Sequence, residues 1–149
     1  MTGVQTCALP IYSSLFSLHF VPDELAALRI EGFLEEYRIH RSLANIMVRS
    51  KSEVIIANML FERGIPFWYE KPLYARDGSF YLPDFTILWH GQEYYWEHLG
   101  LLEQDKYRAH WEEKKKWYDK NFPGMLVTTE ESGKLSIDAQ ELIKSKFCH

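Results

Sequence analysis

Two carboxylates, Asp84 and Glu97, each stand inside a stretch that is otherwise apolar and aromatic. Asp84 lies in Tyr81-Leu82-Pro83-Asp84-Phe85, and Glu97 in Tyr94-Tyr95-Trp96-Glu97-His98. Strand-forming residues surround both, over 80–89 and 93–99, and the turn-like His90-Gly91-Gln92 separates them, which predicts a β-hairpin. A carboxylate within a half-buried strand is expensive to desolvate unless something pairs with it. Two on neighbouring strands repel each other unless a cation lies between them. Hard divalent cations suit such a pair, held by one or two carboxylates with waters and substrate phosphate. Metal-dependent phosphodiester chemistry is therefore the first expectation, with Mg²⁺ as the cofactor and Mn²⁺ as a substitute. Strand register decides whether the two side chains share a face, and spacing alone leaves it open. The competing reading makes Asp84 a turn acid after Pro83 and Glu97 an edge-strand acid.

A chain of 149 residues with 46% apolar and 15% aromatic residues can bury a real core, and its length fits one folded domain. No apolar run approaches the roughly 20 residues needed to span a membrane. The net charge of −4 argues against wholesale electrostatic coating of nucleic acid and leaves room for a local basic face. Cys7 and Cys148 sit near opposite ends, which suggests neither a disulfide framework nor a zinc site. A reducing, cytoplasmic setting is the expectation. Residues 1–11 (MTGVQTCALPI) lack the basic start and long apolar stretch of a signal peptide. They resemble translated sequencing-adapter read-through, so they read as a non-native segment ahead of a protein that continues further upstream.

Pro22-Asp23-Glu24 is a good helix start, and helical spacing of Leu25, Leu28, Phe33, Leu34 and Tyr37 predicts a helix over 22–47 within an N-terminal extension, 12–47. Ser50-Lys51-Ser52-Glu53 fits a capping box that opens a second helix, ended by Arg63-Gly64. A strand is expected over 65–74 and a turn at Arg76-Asp77-Gly78-Ser79, followed by the two carboxylate-bearing strands. A helix over 103–121 stops at Pro123-Gly124, a short strand covers 125–129, and a last helix covers 137–147. The predicted class is α/β: helix, three strands, helix, strand, in a mixed sheet flanked by helices.

Glu53 has two readings. As the third helical residue it completes the capping box through the Ser50 backbone N–H, or it adds a third acid to the metal site. Glu70, between Tyr69 and Lys71, is a weaker candidate for that site, and an exposed or salt-bridged strand residue is at least as good a reading. On the helix over 103–121, Tyr107, Trp111, Lys114 and Tyr118 recur at spacings of four, three and four, on one face. Aromatics on that stripe should pack on the sheet, which carries Lys114 unusually far inward, unless it snorkels along the core edge. His98 should point to the face opposite Glu97, as a packing or supporting residue. Residues 38–51 contain Arg38, Arg41, Arg49 and Lys51 without an acid before the last of these, a candidate contact for a DNA backbone or simply a solvated face.

Pro83-Asp84, Glu97 and the element order resemble the PD-(D/E)xK nuclease superfamily, the restriction-endonuclease-like fold, over about residues 48–147. More narrowly, Arg49-Ser50-Lys51-Ser52-Glu53, Tyr69-Glu70-Lys71-Pro72-Leu73, Pro83-Asp84-Phe85 and Glu97-His98-Leu99-Gly100 are similar to nuclease-like domains found alone or attached to bacterial DNA helicases. The resemblance implies a nuclease-like domain over 48–149 that hydrolyses DNA in repair, processing or defence. It implies metal ligation by Asp84, Glu97, Glu53 and the His98 backbone carbonyl, with Asp84, Glu97 and Lys114 as catalytic residues. DNA is the implied partner, with a helicase or other DNA-processing domain upstream. The family's lysine stands two residues after the glutamate, where this chain has Leu99, so Lys114 is the expected replacement. The rival reading is an inactive DNA-binding or interaction module that keeps the fold.

Overall fold

The computed structural model describes residues 40–148. The adapter-like segment, Arg38, His149 and the predicted helix up to residue 39 lie outside the described residues. What remains of that predicted helix is a small hairpin. β1 (His40–Arg41) and β2 (Met47–Val48) pair antiparallel, His40 against Val48. Turn chemistry overrides the helical spacing here. The Ser42 backbone N–H donates to the Ile46 carbonyl at 2.9 Å, and Asn45 takes φ 61°, a left-handed conformation that asparagine tolerates.

α1 (Lys51–Glu62) begins where the capping box predicts, with the Glu53 N–H donating to Ser50 Oγ at 3.1 Å. It ends at Arg63, with Gly64 at φ 66°. The strand expected over 65–74 is divided. β3 (Phe67–Tyr69) stops at Glu70, whose φ of 49° turns the chain out of the sheet. β4 (Leu73–Tyr74) then pairs with β5 (Phe80–Tyr81) in a separate two-stranded ribbon, closed by the expected turn with Gly78 at φ 87°. The strand expected over 80–89 breaks at Leu82-Pro83-Asp84, since proline supplies no N–H to a ladder, and resumes as β6 (Phe85–Trp89).

β6 turns directly into β7 (Gln92–Leu99) through His90 and Gly91, both at positive φ, a two-residue turn whose twist suits a hairpin. α2 (Asp105–Asn121) follows, then β8 (Leu126–Glu130) and α3 (Leu135–Lys146). The main sheet has the order β3-β6-β7-β8. Its first three strands are antiparallel and β8 runs parallel to β7, which a crossover through α2 makes possible. The α/β class and the mixed sheet flanked by helices are as expected.

The sheet separates two apolar layers. On one face α1 and α3 cover Phe67, Phe85, Ile87, Trp96 and Val127, with Ile56, Leu60 and Ile143 from the helices. On the other, Tyr118 of α2 packs against Tyr95 and Leu73, flanked by Trp117, Phe122 and Leu126. Burying a side chain such as Phe85 or Ile143 contributes about 1.5–3 kcal/mol, so the α1/α3 layer carries most of the stability. The thinner α2 layer is where polar groups enter. Among the described residues, no helix is long and apolar enough to cross a membrane.

Candidate active site

The β6–β7 register answers the question that spacing left open. Phe85 pairs with Trp96, and both side chains belong to the α1/α3 core. Continuing the ladder by one residue sets Asp84 opposite Glu97, both on the α2 face. Glu97 is buried, and its Oε2 receives the Lys114 Nζ at 2.6 Å and the Tyr118 hydroxyl at 2.7 Å. The inward lysine predicted from the helical stripe is therefore in place. Its ammonium also lies 5.2 Å from the centre of the Tyr81 ring, at the root of the β4–β5 ribbon.

Asp84 is half-buried, and its Oδ2 accepts the His98 backbone N–H at 2.7 Å. Leu99 turns its carbonyl to the β8 side, where the Glu131 N–H donates to it at 2.9 Å. Alternation along a strand then directs the His98 carbonyl the other way, to the side of Asp84, where a further oxygen ligand is expected. The His98 ring points to the opposite face, as predicted, and bonds Thr129 Oγ1 at 2.9 Å and Glu131 Oε2 at 2.6 Å.

Glu53 reaches the same end of the sheet from α1. The capping box expects its carboxylate on the Ser50 backbone N–H. Instead it accepts two hydroxyls, Ser50 Oγ at 3.0 Å and Tyr69 OH at 3.1 Å. Glu70, also buried, is gripped by Arg49, with Nε and Nη2 at 2.5 and 2.8 Å from its two oxygens. This two-pronged bond accompanies a left-handed backbone at Glu70, a conformation that costs about 1–3 kcal/mol.

The electrostatics follow from this crowding. Burial pushes the Asp84 carboxyl well above its ordinary value, and the negative charges of Glu97 and Glu53 push it further. The His98 N–H and the Lys114 charge only partly oppose this. Burial also raises Glu97, against the pull of Lys114 and Tyr118, and raises Glu53, against the Ser50 and Tyr69 hydroxyls. Glu70 adds repulsion to both. The pocket holds more carboxyl groups than the cations Lys114 and Arg49 can pair.

Among the described residues, no three His, Cys, Asp or Glu side chains form a ready-made metal-holding group. Each acid is tied to its own partner. The donor chemistry nevertheless fits a hard divalent cation, because Asp84 and Glu97 share a face with a backbone carbonyl directed beside them, and because both carboxyls resist ionising without added positive charge.

Among the described residues, the basic run is divided. Arg49 is turned inward onto Glu70, Arg41 donates to Asn45 Oδ1 on the hairpin, and Lys51 is exposed at the start of α1. The Glu70 carboxylate matches the forked guanidinium of Arg49. The salt-bridged reading of Glu70 holds, but neither Arg49 as its partner nor Tyr118 as a donor to Glu97 was foreseen. Tyr118 stands one helical turn beyond Lys114 on the same stripe, so that spacing could have nominated it. The Arg49–Glu70 pair joins positions 21 residues apart and leaves no local signal.

No family model matches the chain, and no solved structure matches it. Among curated proteins, it is similar to an uncharacterized protein of Methanocaldococcus jannaschii, 36% identical over 88 residues. The alignment covers 56% of this chain, and the chain spans about 7% of the length of that relative.

Proposed function

We propose that this chain is a metal-dependent deoxyribonuclease-like domain with a restriction-endonuclease-like core of the PD-(D/E)xK kind, hydrolysing phosphodiester bonds in DNA. The observation that carries this reading is the meeting of Asp84, Glu97 and Lys114 on one sheet face, with Lys114 Nζ 2.6 Å from Glu97. Asp84, Glu97 and the His98 carbonyl would hold Mg²⁺ or Mn²⁺, with Glu53 behind them. A cation bound there supplies charge for the phosphoryl oxygens and acidifies an attacking water. Lys114, half-buried and carried on a packed helix, is aimed at the same space, so its ammonium is available to the charge that builds on the phosphate. Tyr118 keeps Glu97 oriented by donating to it from the core side. The larger protein around such a domain would belong to DNA processing, with a helicase as the natural neighbour.

Nicking of supercoiled plasmid and of single-stranded DNA tests the reading, with Mg²⁺, Mn²⁺ or EDTA and beside Asp84→Ala and Lys114→Ala. Cutting that needs metal and disappears in both variants is the expected result. A folded wild-type protein that binds Mn²⁺ and DNA yet cuts neither substrate would sink it.

One observation favours a second reading, a non-catalytic DNA-binding module. The Lys114–Glu97 pair neutralises one carboxylate without any metal. Calorimetry with Mn²⁺ separates the two, since a module of that kind shows no binding that Asp84→Ala abolishes.

A further inference from the structure

Behind the acidic pocket, on the α1/α3 face, lies a compact polar chain. The Trp96 indole N–H donates to Thr129 Oγ1 at 3.0 Å, and Thr129 Oγ1 meets His98 Nδ1 at 2.9 Å. The other ring nitrogen, Nε2, lies 2.6 Å from Glu131 Oε2. That same oxygen accepts the Ser52 hydroxyl, also at 2.6 Å. With the indole donating to Thr129, the threonine hydroxyl is free to donate to Nδ1, which leaves the proton on Nε2 for Glu131. Hydrogen bonds from Ser52 and His98 hold the Glu131 carboxyl below its ordinary value, so it stays a charged acceptor.

Three separate elements meet on this one oxygen. Ser52 belongs to the first turn of α1 and precedes Glu53. His98 belongs to β7, follows Glu97, and holds Asp84 through its backbone N–H. Glu131 follows β8, and its own N–H is fixed on the Leu99 carbonyl.

We infer that the His98 ring and Glu131 form a clamp that positions the carboxylates from behind, setting the distance between the Glu53-bearing helix and the strand that carries Glu97 and grips Asp84. Neither side chain touches the proposed substrate space, so both are positioning residues rather than catalytic ones. The clamp rests on the proposed metal site for its purpose and on the bonds above for its existence. Supporting bonds of this sort are worth about 10–100-fold in metal affinity where they orient ligands.

The test uses the full chain and three variants, Glu131→Ala, Glu131→Gln and Ser52→Ala. The first readout is amide hydrogen exchange in metal-free protein, comparing the His98 N–H with the Ile87 N–H in the sheet centre. In Glu131→Ala, His98 exchange should rise about tenfold or more while Ile87 is unmoved, as local opening without global unfolding requires. Glu131→Gln keeps an oxygen able to accept from both Ser52 and His98, so it should stay near wild type. The second readout is calorimetric Mn²⁺ affinity, which should fall about tenfold or more in Glu131→Ala and by less in Ser52→Ala. A folded Glu131→Ala protein with unchanged His98 exchange would overturn the clamp. Unchanged Mn²⁺ affinity beside faster exchange would overturn its positioning role. Absence of Mn²⁺ binding in wild type would instead count against the nuclease reading, and the exchange result would still decide the clamp.

Discussion

Lys114 and Tyr118, one turn apart on α2, end on the same oxygen of Glu97, at 2.6 and 2.7 Å. A buried carboxylate thus has one charged and one neutral donor from a single helix face. On the proposed metal site the ammonium and the cation would share Glu97, so metal and lysine would contend for one acid.

Lys114→Met should therefore bind Mn²⁺ more tightly than wild type in the absence of DNA, by about three- to tenfold, while losing nicking activity. Removing a like charge a few ångströms from the cation is the cause. Calorimetry checks it, and equal affinities would show that Lys114 swings clear at no cost.

Stability of the metal-free protein should fall as pH rises from about 4 towards neutrality. Asp84, Glu97 and Glu53 all have carboxyls raised above their unfolded values, chiefly by burial. In that window the folded state holds protons that the unfolded chain has released, so folding loses ground with each unit of pH. Below about pH 4 the trend reverses, because the Glu131 carboxyl is lowered and its bonds weaken on protonation. Melting temperatures at pH 5 and pH 8 test this. Asp84→Asn should flatten the slope, and Mg²⁺ should restore stability at pH 8.

Tyr118→Phe should cost about 1.5–3 kcal/mol in urea unfolding, the scale of a hydrogen bond to a charged group. The ring still fills its place against Tyr95, so a loss below a few tenths would mean that Lys114 alone satisfies Glu97.

Ser50 and Glu53 separate capping from ligation. Ser50→Ala should lower stability by about 1 kcal/mol, the usual cost of a lost N-cap, and weaken Mn²⁺ binding less than Glu53→Gln does, since its hydroxyl only supports that carboxylate. Glu53→Gln should weaken Mn²⁺ binding. If Glu53→Gln binds as wild type does, the Glu53 carboxylate serves only to hold the Ser50 and Tyr69 hydroxyls.

The parts legible in the sequence were those governed by short-range rules. The β6–β7 hairpin declared itself through strand-forming runs around His90-Gly91, and the inward reach of Lys114 through the aromatic stripe beside it. The Ser50 cap was legible too, but not the choice of hydroxyls over a backbone N–H by the Glu53 carboxylate, which depends on Tyr69 arriving from β3. The hairpin at residues 40–48 was hidden because extending the helix of Leu25 to Tyr37 on to residue 47 covers it, while the deciding feature is the left-handed Asn45. Pro72 is the local sign that the strand ends near Glu70, and the strand expected over 65–74 runs past it. The Arg49 side chain that binds Glu70 there comes from 21 positions earlier.

Because Lys114 arrives on a crossover helix, its reach to Glu97 is written in helix phase and not in a fixed count from the strand. Residues could be added to or removed from the link between Leu99 and Asp105 without disturbing the pair, provided α2 docks as before. One residue inserted inside the helix, between Tyr107 and Lys114, would rotate the lysine by about 100° and aim it at solvent. Chains sharing this arrangement should thus vary freely in the length of that link and hardly at all in the spacing within the stripe, and a scan for a rigid local motif would pass over them.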